Sequence, residues 1–555
     1  MPDRRPPTLT RRGVLGAAAG TAATVAAGAA LSAPAQADPV PADHHEAPAT
    51  DPALPKEEFR AGWIATTVNI DWPSRAGLDA ETQKEEFLRR LADAKEYHFN
   101  AVVTQIRPTA DAFWPSPFEP WSRWLTGTQG QDPGYDPLAF AVEQAHAHDL
   151  ELHAWLNPYR ISMKATTGDV GTDLSKLHPD HPARQHPEWV VAYPANETGQ
   201  LYYNPGIPEV REFVIDAMMD AVDNYDVDGV HFDDYFYPYR VAGHEFDDDA
   251  AFAEYGGDFT DKGDWRRNNT DQLIQGFASR IKESKPWVKF GVSPAGVWRN
   301  KADDPEGSDT QAGAPTYDAL FADTRKWVRE GWIDYIAPQI YWARSLPVAS
   351  YTVIANWWND VCEGTDCHLY IGEAVYKVDV DTISPEWKND PRELHSHVAL
   401  SRELPAIGGN IYYNASAVRA DKLNAMSIIR DEHYARPAFV PHSAHLPSRA
   451  PSAPRILDVC HEDGQWTIEW TNRSRRDGIN ATAWYGVYTT VGNPDEGDLA
   501  DASNLIGVLA AGSDRTRTFT WAGEYDSKRR FVVTGLNRAW REGAPAVSRR
   551  PRRRH

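Results

Sequence analysis

The 555-residue sequence predicts a (β/α)8 TIM-type barrel followed by a small all-β sandwich domain. Three observations predict it. Between Phe59 and Tyr434, a β-rich run, a polar or aromatic loop and an amphipathic stretch of helical period recur eight times. No Gly-rich GxGxxG loop follows any run, which disfavours a doubly wound open sheet, the other α/β architecture. Past a Pro/Ser-rich stretch at residues 437–454, the pattern changes to short alternating runs separated by turn residues.

The chain opens on an address. Thr10-Arg11-Arg12-Gly13-Val14-Leu15 is a twin-arginine pattern, an Ala/Gly-rich apolar stretch follows, and Ala35-Gln36-Ala37 is a small-residue cleavage site. Residues 1–37 therefore read as a twin-arginine signal peptide, and residues 38–55, rich in Pro, Ala and His, as a disordered lead. No other long apolar run exists, so no membrane anchor is expected after signal removal, and an exported protein is.

The barrel is assigned to residues 56–436. Its eight runs are Arg60–Thr67, Ala101–Arg107, Glu151–Asn157, Gly229–Asp234, Lys289–Pro294, Tyr335–Tyr341, His368–Val375 and Gly409–Asn414. Helical segments between them include Thr82–Tyr97, Pro137–His148, Pro208–Tyr225, Asp271–Ser284, Asp318–Glu330 and Pro391–Leu404. The sandwich is assigned to residues 455–548, with runs at Trp466–Trp470, Trp484–Thr489, Thr518–Trp521 and Arg530–Val533. The spacing of Trp470, the Tyr485–Tyr488 run and the closing FVVTGLN…EGAPAVS resembles a fibronectin type III module. Its pattern is self-contained, so a cut near Pro447 is expected to leave a folded, active barrel. Residues 549–555 form a basic tail.

The formal charge of −22 argues against a polyanion-binding surface, hence no nucleic acid. Trp (21) and Tyr (23) are abundant, and aromatic faces stack on the C–H faces of sugars. In an exported protein, Cys362 and Cys367 in CEGTDC read as a small-loop disulfide, with two free thiols as the alternative. No HExxH occurs, and no metal or other cofactor is called for.

Function on such a barrel lives at the C-terminal ends of the strands. Those ends are polar plus aromatic. They supply Gln105 and Arg107, Asn157, Tyr159 and Arg160, His231, Asp233, Asp234 and Tyr235, Asn300, Gln339, Tyr341 and Trp342, and Glu373. Amides and carboxylates bond sugar hydroxyls while rings stack beneath them, so the rim reads as a saccharide cleft. In DGVHFDDYFYP, Asp233 and Asp234 stand together where the fourth strand ends. Two like charges so close push one pKa upward, as a general acid near neutral pH needs; a helix cap or solvated turn is the structural alternative. Glu373 is the rival carboxylate, either a nucleophile or base across the barrel or a salt-bridge partner of Arg107 or Lys377. Arg107 and Arg160 either bind substrate or neutralise the acid pair. Asn157 and Gln105 read as sugar-binding or supporting residues, Tyr341 and Trp342 as a stacking platform, and His231 as a packed histidine or one that tunes an Asp.

The stretches RAGWIATTVNIDWP, FNAVVTQIRPTADAFWPS, LELHAWLNPYR, VDGVHFDDYFYP, FGVSPAGVWRN, YIAPQIYW and GGNIYYN together resemble the glycosyl hydrolase-like 10 family over the whole barrel. The resemblance implies a (β/α)8 fold, glycoside hydrolysis and a cell-wall polysaccharide substrate, peptidoglycan glycan strands stripped of stem peptides. The adjacent acids also resemble the pair of O-GlcNAcase-type hexosaminidases, in which one Asp orients the substrate acetamide and its neighbour is the acid/base. That implies carboxylate catalysis with help from the substrate's own acetamide. The alternative is a non-catalytic cell-wall glycan-binding protein on the same scaffold, for which an adjacent acid pair has little use.

Overall fold

The computed structural model describes residues 54–472 and 477–553. The signal peptide and most of the lead expected over residues 1–55 lie outside them. Eight strands close a barrel: β1 Phe59–Ile64, β2 Ala101–Arg107, β3 Glu151–Leu156, β4 Gly229–Phe232, β5 Lys289–Val292, β6 Tyr335–Ile336, β7 His368–Ala374 and β8 Ile407–Tyr413. They neighbour one another in chain order, and β8 pairs with β1, every pairing being parallel. Side chains alternate along each strand. Phe59, Ala61, Trp63, Trp155, Tyr335, Tyr370 and Ile411 fill the interior, while Ile64, Val102, Leu156, Phe232, Val292 and Ile371 face the helices.

The helices follow the apolar period, with local differences. Asp79 caps Ala80–Glu96 through Thr82 N (2.9 Å), and Asp136 caps Pro137–Ala147 through Ala139 N (3.0 Å). The helix expected from Asp271 begins earlier, at Lys262, where Asp261 caps it. The one expected over Asp318–Glu330 is two pieces, Thr316–Ala319 and Thr324–Arg329. Tyr351–Cys362 is a helix the sequence reading missed, because YTVIANWWNDVC is rich in β-branched and aromatic residues; it buries Ile354, Ala355, Trp358, Val361 and Cys362 along one face. The sixth run stops being strand at Ile336, and Pro338, which has no N–H to donate, lies just beyond it.

The C-terminal part is two four-stranded sheets, with strands β9 Arg455–Glu462, β10 Gln465–Thr471, β11 Thr482–Val491, β12 Leu505–Ala510, β13 Thr516–Ala522, β14 Arg529–Asn537, β15 Ala546–Val547 and β16 Arg552–Arg553. One sheet runs β13-β10-β9-β16 and the other β12-β11-β14-β15. Trp466, Ile468 and Trp470 of the first meet Tyr485, Val487, Phe531 and Val533 of the second. The segment expected as a basic tail is part of this architecture: the backbone of β16 pairs with Cys460 and His461.

The sandwich shares the barrel's core. The interior cluster that holds Phe59, Trp155, Tyr335 and Tyr370 continues through Phe439 and Val440 into Trp484, Tyr488, Leu505, Val532, Leu536 and Trp540. The connecting stretch is pinned throughout. Phe439 N donates to Lys56 O (2.8 Å), Glu58 N to Phe439 O (2.9 Å), Ser443 N to Ala539 O (3.0 Å) and Arg449 N to Asn480 Oδ1 (2.6 Å). The expectation of a barrel separable near Pro447 loses its physical basis, because apolar residues on both sides of that point form one cluster.

Candidate active site

β4 carries the acid pair. His231 faces the interior and Phe232 the helices, so Asp233 returns to the interior at the strand's C-terminal mouth. Asp233 is 3% exposed and accepts only N–H bonds: from Asn157 Nδ2 to Oδ1 (2.9 Å) and Oδ2 (3.1 Å), from Trp155 Nε1 (3.1 Å) and from Tyr235 N (3.3 Å). Burial outweighs the Arg160 charge and these donors, which pull the other way, so its pKa stands above the usual carboxylate value. Each of these contacts donates to the carboxylate and favours its charged form. Asp234 is 7% exposed and accepts from the Tyr239 hydroxyl. Burial first, and the neighbouring Asp233 charge second, push it up to about 6, against hydrogen bonds from Tyr239 and Gln339. The two acids thus differ: Asp233 is met by N–H donors on both oxygens, and Asp234 is poised to carry a proton.

Beneath the pair a buried hydrogen-bond chain runs along the barrel interior. Trp63 Nε1 can only donate, so His231 Nε2 accepts from it (3.2 Å) and Nδ1 carries the proton, donating to the Tyr335 hydroxyl (2.9 Å). Tyr335 then donates to His153 Nδ1 (2.9 Å), and His153 Nε2 donates to Glu151 Oε2 (3.1 Å). Burial keeps His231 neutral by driving its pKa well below the usual value. At the foot, Glu151 also takes Lys289 Nζ (2.5 Å) and Trp540 Nε1 (2.6 Å); burial opposes its charge, but Lys289 and His153 pull its pKa down to about 2.

The other expected residues divide. Asn157 belongs to the centre: its Nδ2 holds Asp233 and its Oδ1 accepts from Arg160 N (2.9 Å). Tyr235, half-buried, lies under the Arg160 guanidinium at 4.9 Å. Gln339 donates to Ser293 O (2.9 Å) beside Asp234. Tyr341 forms a ring cluster with Tyr376 (6.0 Å) and Tyr413 (6.2 Å), and Trp342 lies against Gly296, where a Cβ would stand 3.0 Å from its ring. Tyr376 and Tyr413 stand at the ends of the seventh and eighth runs, where the sequence puts the rim; Tyr239 was missing from the expected set. Tyr239 stands five residues past Asp234 in an aromatic run, a signal that could have pointed to it.

Five expected site residues and the disulfide are corrected. A register shift between Gln105 and Arg107 turns Arg107 out of the interior alternation. There its guanidinium is fully buried, forks onto Glu119 (Nε to Oε2, 2.6 Å) and donates to Asn157 O and Pro158 O. Gln105 is sealed beneath the loop after β1, accepting from Thr66 N (3.1 Å) and Thr67 N (2.9 Å). Tyr159 is fully buried, and Asn300 latches its own loop through Thr310 Oγ1 (2.9 Å) and Ala312 N (2.8 Å). Glu373 has the parity of Ile371, which faces the helices. It is fully buried between Tyr351 (2.7 Å), Asn410 (2.9 Å) and His397 (2.8 Å), away from the cleft. Cys362 and Cys367 are free, buried thiols; burial pushes Cys362 up to about 12, and the Cys367 sulfur contacts its neighbour's carbonyl, His368 O (3.7 Å). Among the described residues no group of three or more His, Cys, Asp or Glu could hold a metal ion, and no helix is long and apolar enough to cross a membrane.

Similarity to known proteins covers most of this barrel. Residues 58–389 match the glycosyl hydrolase-like 10 family. Glycosyl hydrolase YngK of Bacillus subtilis (strain 168) is 46% identical over 444 residues, 80% of this chain and 85% of that protein. Glycosyl hydrolase DigH of Escherichia coli (strain K12) is 41% identical over 381 residues, 66% of this chain and 84% of that protein. With a closed parallel barrel, an acid pair at its C-terminal mouth and similarity of this extent, the chain belongs to the glycosyl hydrolase-like 10 family.

Proposed function

We propose that this glycoside hydrolase cuts amino-sugar glycan strands, peptidoglycan strands without stem peptides, with help from the substrate acetamide. The observation that carries the reading is the pair itself: two adjacent acids on one strand end, one met by four N–H contacts and its neighbour pushed up to about 6. Two carboxylates flanking a glycosidic bond stand about 5–5.5 Å apart in retaining enzymes and roughly 6.5–9.5 Å in inverting ones. Neighbours on one strand are more easily placed on the same side of a sugar ring, and Glu373, the candidate for the opposite side, faces the helices. In this reading Asp233 accepts the acetamide N–H and aims its carbonyl oxygen at the anomeric carbon. That oxygen bonds to the carbon as the glycosidic C–O bond breaks, and Asp234 gives its proton to the leaving oxygen. Water then opens the cyclic intermediate, and Asp234 takes the proton back. The tyrosines at 341, 376 and 413 offer sugar faces to stack on. The twin-arginine pattern in the first residues supports export to the cell wall.

The test is a product assay on purified stem-peptide-free strands, with intact wall as control. Asp234→Asn should cut them about 10²–10⁴-fold more slowly while binding and melting stay unchanged. Near-wild-type turnover by that variant would remove Asp234 as the acid. De-N-acetylated strands should bind yet resist cleavage; equal rates on both would remove the acetamide from the mechanism.

A further inference from the structure

Arg160 is a buried cation without an anion of its own. The residue is 4% exposed, and its Nε and Nη2 both donate to one neutral acceptor, Pro108 O (3.2 and 3.0 Å). Four other enclosed arginines close on carboxylates: Arg60 on Glu58 (2.7 Å), Arg266 on Asp248 (2.6 Å), Arg402 on Glu58 (2.8 Å) and Arg107 on Glu119. Arg211 is buried without a carboxylate, but three different neutral acceptors take its donors: Pro205 O (2.8 Å), Asn269 Oδ1 (3.2 Å) and Gln272 Oε1 (2.7 Å). Arg160 makes no carboxylate pair among the described residues. Asp233 feels its charge but takes its hydrogen bonds from Asn157, Trp155 and Tyr235 instead. The Nη1 edge of the guanidinium has no protein partner among the described residues, and it is not one of the polar atoms sealed from solvent.

The position is built. Asn157 holds the Arg160 backbone through Oδ1 and Asp233 through Nδ2, so one side chain ties the Arg160 main chain to the acid. The Tyr235 ring supports the guanidinium from below (4.9 Å), and the same charge reaches Tyr413 across the mouth. A buried guanidinium left unpaired is destabilising, and a planar fork with a free edge is the geometry that receives a carboxylate.

We infer that Arg160 receives a carboxylate of the substrate, so that a sugar bound beside the scissile bond is an acidic one. This rests on the reading of the cleft as a glycosidase site and adds the substrate class. Two sugars supply the chemistry: an amino sugar with a 3-O-lactyl ether, and a hexuronic acid. In the first, an attached peptide converts the lactyl carboxylate to a neutral amide, so only a stripped strand offers Arg160 its anion.

The experiment compares kcat/KM of the full chain on four oligosaccharides of equal length. They are an alternating N-acetylglucosamine/lactyl-sugar oligomer, the same oligomer with its carboxylates converted to methylamides, an N-acetylglucosamine/glucuronate oligomer, and neutral N-acetylglucosamine oligomers. A free carboxylate should raise kcat/KM about 10–100-fold over its methylamide or over the neutral oligomer, and the better acidic arm names the source. Arg160→Gln should erase the ratio of kcat/KM between acidic and neutral oligomers, whatever the loss of its charge beside Asp233 does to the rate common to all four; Arg160→Lys should keep part of that ratio. The wild-type ranking decides even where a variant does not fold. Equal cleavage of acidic and neutral oligomers overturns the inference and leaves the glycosidase reading standing. An undiminished acidic preference in Arg160→Gln also overturns it, because Arg160 then serves only to neutralise Asp233. Cleavage of none of the four removes the reading beneath it, and the inference with it.

Discussion

Trp540→Ala tests whether barrel and sandwich are one folding unit. Trp540 is 2% exposed, stacks on Trp484 (4.9 Å, 18° between rings), lies 6.0 Å from Phe439 and donates to Glu151 (2.6 Å) at the foot of the barrel's hydrogen-bond chain. Truncating a buried tryptophan costs about 3–5 kcal/mol, and a hydrogen bond to a charged acceptor contributes about 1.5–3. The terms overlap, so about 5 kcal/mol is the working figure. The unfolding entropy is about 2.1 cal/mol/K per residue, or roughly 1 kcal/mol/K for a unit of about 500 residues. If barrel and sandwich unfold together, the single melting transition should fall by about 5 °C. If the sandwich were a separate unit of about 95 residues, with roughly 0.2 kcal/mol/K, the same loss would lower its own transition by about 25 °C and leave the barrel's in place. Differential scanning calorimetry separates the outcomes, and Trp540→Phe, which keeps most of the ring, should lower the transition by roughly 2 °C. Two transitions, the larger unmoved by Trp540→Ala, would refute the shared core.

Two further outcomes follow from the buried charges. Tyr239 donates to Asp234, a bond that favours its ionised form, so Tyr239→Phe should raise the Asp234 pKa above about 6. The activity that depends on protonated Asp234 should then persist to higher pH, and a pH–rate profile unchanged from wild type would detach Tyr239 from the acid. His397 lies between Glu373 and Glu393; burial opposes its charge, but the two carboxylates hold its pKa up at about 9. Its contribution to stability is therefore complete below the unfolded value of about 6.5 and is lost as pH rises through about 9. Glu373→Gln should destabilise the fold by roughly 3–5 kcal/mol, lessen that pH dependence and leave kcat of the folded protein intact; a lost kcat at full stability would return Glu373 to the chemistry.

The sequence by itself determined the eightfold alternation, the change to an all-β pattern after residue 454 and the place of Asp233 and Asp234 at a strand mouth, because these are local: period, turn chemistry and adjacent residues. It also carried the family, through motifs spread over the barrel. Tertiary structure decided which polar strand ends face the cleft. Arg107 and Arg160 follow neighbouring strands and look alike in sequence, yet one register shift sends Arg107 outward onto Glu119 while Arg160 stays beside Asp233. Glu373 is lost to the cleft by the same parity, since a single-residue step on a strand changes the face a side chain occupies. The partners that make Asp233 differ from Asp234, and the Trp540–Glu151 contact that joins sandwich to barrel across 389 residues, have no local pattern to read. They exist only once the strands have closed and burial has fixed which charges face one another.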